Sequence, residues 1–218
     1  MSETPVELGF RIAALNQALE RDPWDVHLLI ELVEAYAAAG RARQAVEVLE
    51  RARALRPQSP QTLHLLGLAY LRTGRLAEAV ALLEKAVRGD LRDAGALVDL
   101  GWAYREAGRI DDALDAFSRV IGLDPDLAAG HHGRGVCCIC LGAYGEATAA
   151  LRQAVRLDPS DPVARYNLAV CYAALGDTEL ALEQYQEALR VGRNDAELLL
   201  TRSAARRSGR PAPLGPQG

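Results

Sequence analysis

AGALVDLGWAYREAGRIDDALDAFSRVIGLDPDL, residues 94–127, decides the fold. The stretch opens with apolar positions at Leu97, Leu100 and Tyr104, halts at Gly108, resumes at Ala113, Phe117 and Val120, and closes on Asp124-Pro125. Apolar residues three and four apart on both sides of a glycine spell a helix, a turn and a second helix. The same pattern recurs along the chain. Gly40, Gly74, Gly108, Gly142 and Gly176 fall 34 residues apart, and Ala45, Ala79, Ala113, Ala147 and Ala181 follow at the same interval. With 19 glycines in 218 residues, four such coincidences after the first arise by chance on the order of once in ten thousand per register. The chain is an array of helical hairpins.

Counting Val26 as slot one of each unit, the glycine at slot fifteen sits where the first helix must stop. The left-handed conformation of a residue just past a helix end costs least without a β-carbon. Slot eight reads Val33, Gly67, Gly101, Gly135 and Ala169, although a glycine inside a helix loses about 1 kcal/mol relative to alanine. Close approach to the small residue at slot twenty of the second helix is expected to offset that loss, with large side chains interlocking around it. Those large partners are Tyr36, Tyr70, Tyr104, Cys138 and Tyr172 at slot eleven, and Leu49, Leu83, Phe117, Leu151 and Tyr185 at slot twenty-four. Slot twenty-seven is small again, with Ala52, Ala86, Val120, Ala154 and Ala188. Arg56-Pro57, Asp124-Pro125 and Asp158-Pro159 end the second helices, because proline cannot extend them.

Slot by slot this pattern resembles the tetratricopeptide repeat, whose signature places a bulky residue, Leu, Gly and Tyr on the first helix and Ala, Phe, Ala and Pro on the second. The expected fold is an all-α, right-handed solenoid of five such repeats, 26–59, 60–93, 94–127, 128–161 and 162–195. Residues 1–25 read as a degenerate half repeat, with a helix from about Glu7 to Arg21 opened by Thr4 as cap and Pro5 behind it. A capping helix is expected over 196–208, and a disordered tail over 209–218.

Composition narrows the function classes. Aromatics make up 5% and the formal charge is −4, so the chain has no general attraction for nucleic acid or anionic lipid. Neither is expected as a partner. No basic region followed by an apolar run opens the sequence and no run of eighteen apolar residues occurs, which reads as a cytoplasmic protein without a membrane span.

Each candidate for chemistry has to exceed the structural role its slot already supplies. Cys137, Cys138, Cys140 and Cys171 invite a metal or redox reading beside His131 and His132. Cys137 and Cys171 share slot ten with Ala35, Ala69 and Ala103, so they read as small buried hydrophobes. Cys140 lies about 200° around the helix from Cys138, too far for one ion to reach both. No nucleophile, phosphate loop or carboxylate pair stands out. No catalytic residue, cofactor or metal site is expected, and the chain is read as a non-enzyme.

One stripe remains. Slots two, five, nine and twelve of the first helices form a face distinct from the packing slots four, seven, eight and eleven. It carries His64 and Leu68, then Val98, Trp102 and Arg105, then His132, Val136 and Ile139, then Tyr166 and Val170. Such an apolar and aromatic surface edged by histidine and arginine suits burial by a partner, although Val136 and Ile139 equally fit a core between repeats. The resemblance implies that this face is a concave groove for a peptide segment. Relatives that grip chaperone carboxyl-termini use Lys at slot five, Asn at slot nine, Asn at slot six of the next unit, and Lys and Arg at slots two and six of the third. Only Asn167 matches here, and this departure from the family pattern leaves a groove expected to hold its ligand more by apolar and aromatic contacts than by charge pairing. The reading is a non-catalytic adaptor for a protein segment. The alternatives are a self-assembling scaffold, its acidic amino end docking head to tail on a basic carboxyl end, and a cysteine-based redox or metal sensor.

Overall fold

The structure is a computed structural model that describes residues 5–55 and 58–192. Among these residues every regular element is an α-helix. They form two compact groups. The first holds α1 (Pro5–Arg21), α2 (Val26–Ala38), α3 (Ala42–Leu55), α4 (Pro60–Arg72), α5 (Leu76–Gly89) and α6 (Ala94–Glu106). The second holds α7 (Ile110–Leu123), α8 (Ala128–Leu141), α9 (Tyr144–Leu157), α10 (Pro162–Leu175) and α11 (Thr178–Val191). Within each group every helix packs on the next, and the first helices of successive hairpins also touch, α2 on α4 on α6 and α8 on α10. The amino-terminal helix starts at Pro5, two residues before the expected Glu7. Thr4, Arg56-Pro57, the capping helix over 196–208 and the tail over 209–218 lie outside the described residues.

All five turn glycines take positive φ, from 68° at Gly40 to 90° at Gly176. Four of these turns show the paired hydrogen bonds of a left-handed cap, and at Gly40 Arg41 N–H donates to Tyr36 C=O at 2.7 Å. Between α4 and α5, Gly74 N–H donates to Leu71 C=O at 3.1 Å and Arg75 N–H to Tyr70 C=O at 2.9 Å. Gly142 and Ala143 repeat this on Ile139 and Cys138 at 3.0 and 2.9 Å. Side chains cap the starts of α4, α6 and α10. Asp93 Oδ1 accepts from Ala96 N–H at 2.9 Å, and Asp161 Oδ1 from Val163 and Ala164 N–H at 2.8 and 3.1 Å, while Pro60 and Pro162 occupy first-turn positions that need no donor.

The core repeats with the sequence. Leu49, Leu83, Phe117 and Leu151 are fully buried at slot twenty-four, and Ala79, Ala113 and Ala147 at slot twenty. Slot eight is small chiefly to admit the leucine of slot twenty-four. A β-carbon on Gly67 would stand 2.7 Å from Leu83 Cγ, and one on Gly135 2.5 Å from Leu151 Cγ, whereas the slot-twenty carbonyl of Ala79 is 3.3 Å away. The expected close approach is present, and a leucine side chain sets it. Phe117 needs a further concession: a β-carbon on Gly133 would lie 2.2 Å from its ring.

A polar latch joins each second helix to the following first helix in the amino-terminal group. Tyr104 Oη donates to Glu84 at 2.9 Å, Arg109 pairs with the same carboxylate at 3.2 Å, and its guanidinium lies 4.4 Å from the Tyr104 ring centre. Tyr70 makes the same contact with Glu50 beneath Arg75, and Tyr36 accepts from Asn16 at 3.2 Å. Each pair is separated by 20 residues.

Replacing Gly142 by alanine should lower stability by about 1 kcal/mol through the left-handed backbone alone, since nothing lies near its missing β-carbon. Gly135→Ala should lower it by about 1–3 kcal/mol despite the better helix former, because Leu151 must shift. Urea titrations of Gly135→Ala, Leu151→Ala and the double variant should give a double loss smaller than the sum of the singles.

Candidate functional site

The slots left over by packing converge within the amino-terminal group. His64, Leu68 and Leu71 on α4 and Val98, Trp102 and Arg105 on α6 are all half-buried, while slots three, four, seven, eight and ten of both helices are buried. The two helices touch, and by repeat position Leu68 corresponds to Trp102 and Leu71 to Arg105. His64 is the tie between them: its Nε2 lies 2.7 Å from Asp99 Oδ2 on α6. Arg105 stacks on Trp102, its guanidinium carbon 5.1 Å from the ring centre. That contact combines dispersion with attraction between the cation and the ring quadrupole, and it fixes the plane of the fork.

The carboxyl-terminal group treats the same slots differently. Tyr166, expected on the open face, is only 2% exposed and clusters with Ala188 and with Val170 and Tyr185, its ring 6.2 Å from that of Tyr185. A tyrosine at slot five is long enough to fold back onto the second helix of its own hairpin, where valine or histidine stays at the face. Asn167 is 4% exposed and belongs to the seam, its Nδ2 donating to His132 Nε2 at 3.1 Å. His132 Nδ1 meets Asp161 Oδ2 at 3.2 Å. A carboxylate can only accept, so the ring proton sits on Nδ1 and leaves Nε2 to accept from the amide. Val136 is 9% exposed, and Ile139 packs on the core cluster that holds Cys138, Leu151, Leu168 and Cys171, so both belong to the core between hairpins. Tyr166 and Asn167 are therefore corrected from exposed groove residues to buried packing and seam residues.

The seam contact follows a rule that the sequence reading missed. His64 to Asp99 and His132 to Asn167 both join slot five to slot six of the next unit, 35 residues on. Histidine recurring at slot five with a polar residue 35 positions later was the available signal. Burial pushes the Asp161 carboxyl up, but the contact with His132 and the amides of Val163 and Ala164 more than reverse this, so it titrates below the usual carboxylate value.

The cysteines form no disulfide, and Cys137, Cys138 and Cys171 are buried. Burial pushes the Cys171 thiol up to about 12 against a hydrogen bond with Thr148, and burial together with Glu146 raises Cys138. Both thiols are protonated at neutral pH and so are poor nucleophiles. Among the described residues no three His, Cys, Asp or Glu side chains gather as metal ligands, and no helix is long and apolar enough to cross a membrane.

Stacked helical hairpins with a half-open face on their first helices define a class of protein-interaction scaffolds. The chain belongs to the tetratricopeptide repeat family: one family model matches residues 64–128 and a second matches 12–69 and 141–204. Among solved structures it is similar to TTC0263, a thermophilic tetratricopeptide repeat protein of Thermus thermophilus, at 28% identity over 83% of this chain and 97% of that one, with a TM-score of 0.67. MamA from Desulfovibrio magneticus RS-1 shares the fold at 18% identity, covering 76% and 94%, TM-score 0.66. So does YrrB, a tetratricopeptide repeat protein with an unusual peptide-binding site, at 22% identity, covering 87% and 98%, TM-score 0.60. A search of curated protein sequences returns no match.

The Asp161 environment has a testable sign. A carboxyl held below its unfolded value stabilises the fold above about pH 4, and that stability is lost as pH falls through the folded value. Asp161→Asn keeps a cap but cannot titrate. In urea unfolding followed between about pH 6 and 3, the wild type should lose more stability than this variant.

Proposed function

We propose that the protein is a non-catalytic adaptor that receives a segment of a partner protein on the face shared by α4 and α6. One observation carries the reading. With the packing slots of these helices buried, a tryptophan, an arginine and the aliphatic side chains Leu68, Leu71 and Val98 still remain half open to solvent on one side. Tryptophan and arginine dominate binding energy where water can be expelled around them, and their aliphatic neighbours supply the surrounding seal. A face carried on packed helices also costs little to organise before binding. The peptide-binding site in the description of YrrB is in keeping with such a role for the fold. A cytoplasmic location belongs to the same reading, and the cysteines, none of them in a disulfide, suit it.

Self-association is the second reading, and exposed apolar residues favour it. Val6 and Phe10 are 66% and 74% exposed on α1, and Leu182 and Leu189 of α11 are 55% and 39% exposed where the corresponding Val80 and Val87 are buried. These are apolar surfaces, so association through them would persist at high salt, unlike the docking of an acidic end on a basic one. The basic segment of that docking lies outside the described residues.

Trp102→Ala should leave the helical circular dichroism spectrum unchanged and abolish recovery of partner proteins in affinity purification from the native cell. Retention of the same partners by this variant would move the binding surface elsewhere. For the second reading, sedimentation velocity of Phe10→Ser should show a monomer if α1 mediates self-association, and a distribution equal to wild type if it does not.

A further inference from the structure

Arg105 is a charge without an adequate counter-charge. Its side chain is 22% exposed, and its ion pair with Glu106 is long, 3.8 Å, to a carboxylate that is itself 48% exposed. Its Nε is closed off from solvent and has no hydrogen-bond partner among the described residues. A guanidinium that has lost most of its water and gained one loose contact is under-compensated, and it stays because the Trp102 ring supports it. By sequence position it is also the single cation of its row. Slot twelve otherwise carries Ala37, Leu71, Ile139 and Ala173.

The other carboxylate of its helix, Asp99, does not relieve it. Asp99 is engaged by His64 at 2.7 Å. The latches that tie Arg75 and Arg109 to Tyr70 and Tyr104 have no counterpart here, since Arg105 lies over the tryptophan of its own helix. With Nε covered, an incoming group meets the Nη end of the fork, and a carboxylate matches that end with two parallel, charge-assisted hydrogen bonds. A phosphate-rich polymer fits worse. One guanidinium flanked by Glu106, on a chain of net charge −4, offers little to a polyanion.

We infer that the segment bound by this face presents a carboxylate side chain to Arg105 with a large apolar side chain next to it, seated on Trp102 and Leu68. The inference rests on the adaptor reading and names the chemistry of its partner. It differs from the carboxyl-terminal grip known among relatives, which draws on other slots that are not basic here. The carboxylate completes the coordination that Glu106 leaves open. The apolar neighbour shields the pair from water, which strengthens it.

The test uses the full chain and an array of synthetic octapeptides in which one Phe or Leu is flanked by Glu, each printed beside a twin carrying Gln instead. Wild type should bind the Glu peptides about tenfold more tightly than their Gln twins, as one net charge-assisted pair would give. Arg105→Gln should bind both twins alike, Arg105→Lys should keep part of the preference, and Trp102→Ala should lose both. Equal binding of the twins by wild type, with loss in Trp102→Ala, overturns the inference about Arg105 and leaves the adaptor reading standing. No peptide bound better by wild type than by Trp102→Ala removes the reading and the inference together. Tighter binding of oligouridylate or of a phosphoserine peptide than of every Glu peptide overturns the carboxylate assignment.

Discussion

The fit of a slot-twenty-four leucine over a slot-eight glycine is the constraint on which these hairpins depend. Leu83 over Gly67 and Leu151 over Gly135 come so near the backbone that a methyl group would collide with their branch points. Dispersion falls steeply with separation, so this depth of contact holds two short helices together where propensity alone is marginal. It also fixes their relative rotation. On α4 and α6, slots three, four, seven, eight and ten then face inward, and slots five, nine and twelve stay half open.

What those residues do then depends on their size and polarity. On α4 and α6, His64 ties the two helices through Asp99 and leaves Trp102 and Arg105 at the surface. On α8 and α10 the same slots are partly closed: Val136 and Tyr166 are buried, His132 is held between Asp161 and Asn167, and Tyr166 turns toward Tyr185. One fold thus leaves a half-open face in one group of helices and builds a more consolidated seam in the other. The latch of tyrosine, glutamate and arginine follows the same division. Tyr70 with Glu50 and Tyr104 with Glu84 precede Cys138, Ser118 and Ala143, which stand where the next tyrosine, glutamate and arginine would be.

Most of the fold was legible because a period multiplies weak signals. A single Gly108 suggests a turn; five glycines at one spacing specify five, and all take the left-handed conformation. The face was legible as a set of slots for the same reason. Its occupancy was not. Tyr166 was expected on the open face because of its slot and its size, yet a side chain at slot five can lie along either hairpin or groove, and nothing in the period decides between them. Asn167 and the histidines belong to pairs 35 residues apart, one step off the repeat. Such contacts cross from one unit to the next and are invisible when units are aligned and read column by column. Gly133 was similarly hidden, because its reason is the bulk of Phe117 in the preceding helix.

Hydroxyl-radical footprinting of the native chain, read by mass spectrometry at Trp102 and Tyr166, compares the two faces in one experiment. Ready oxidation of Trp102 with protection of Tyr166 is the predicted result, since the first is half open and the second nearly sealed. Oxidation of Tyr166 with protection of Trp102 would contradict the contrast between a half-open Trp102 on α6 and a buried Tyr166 on α10.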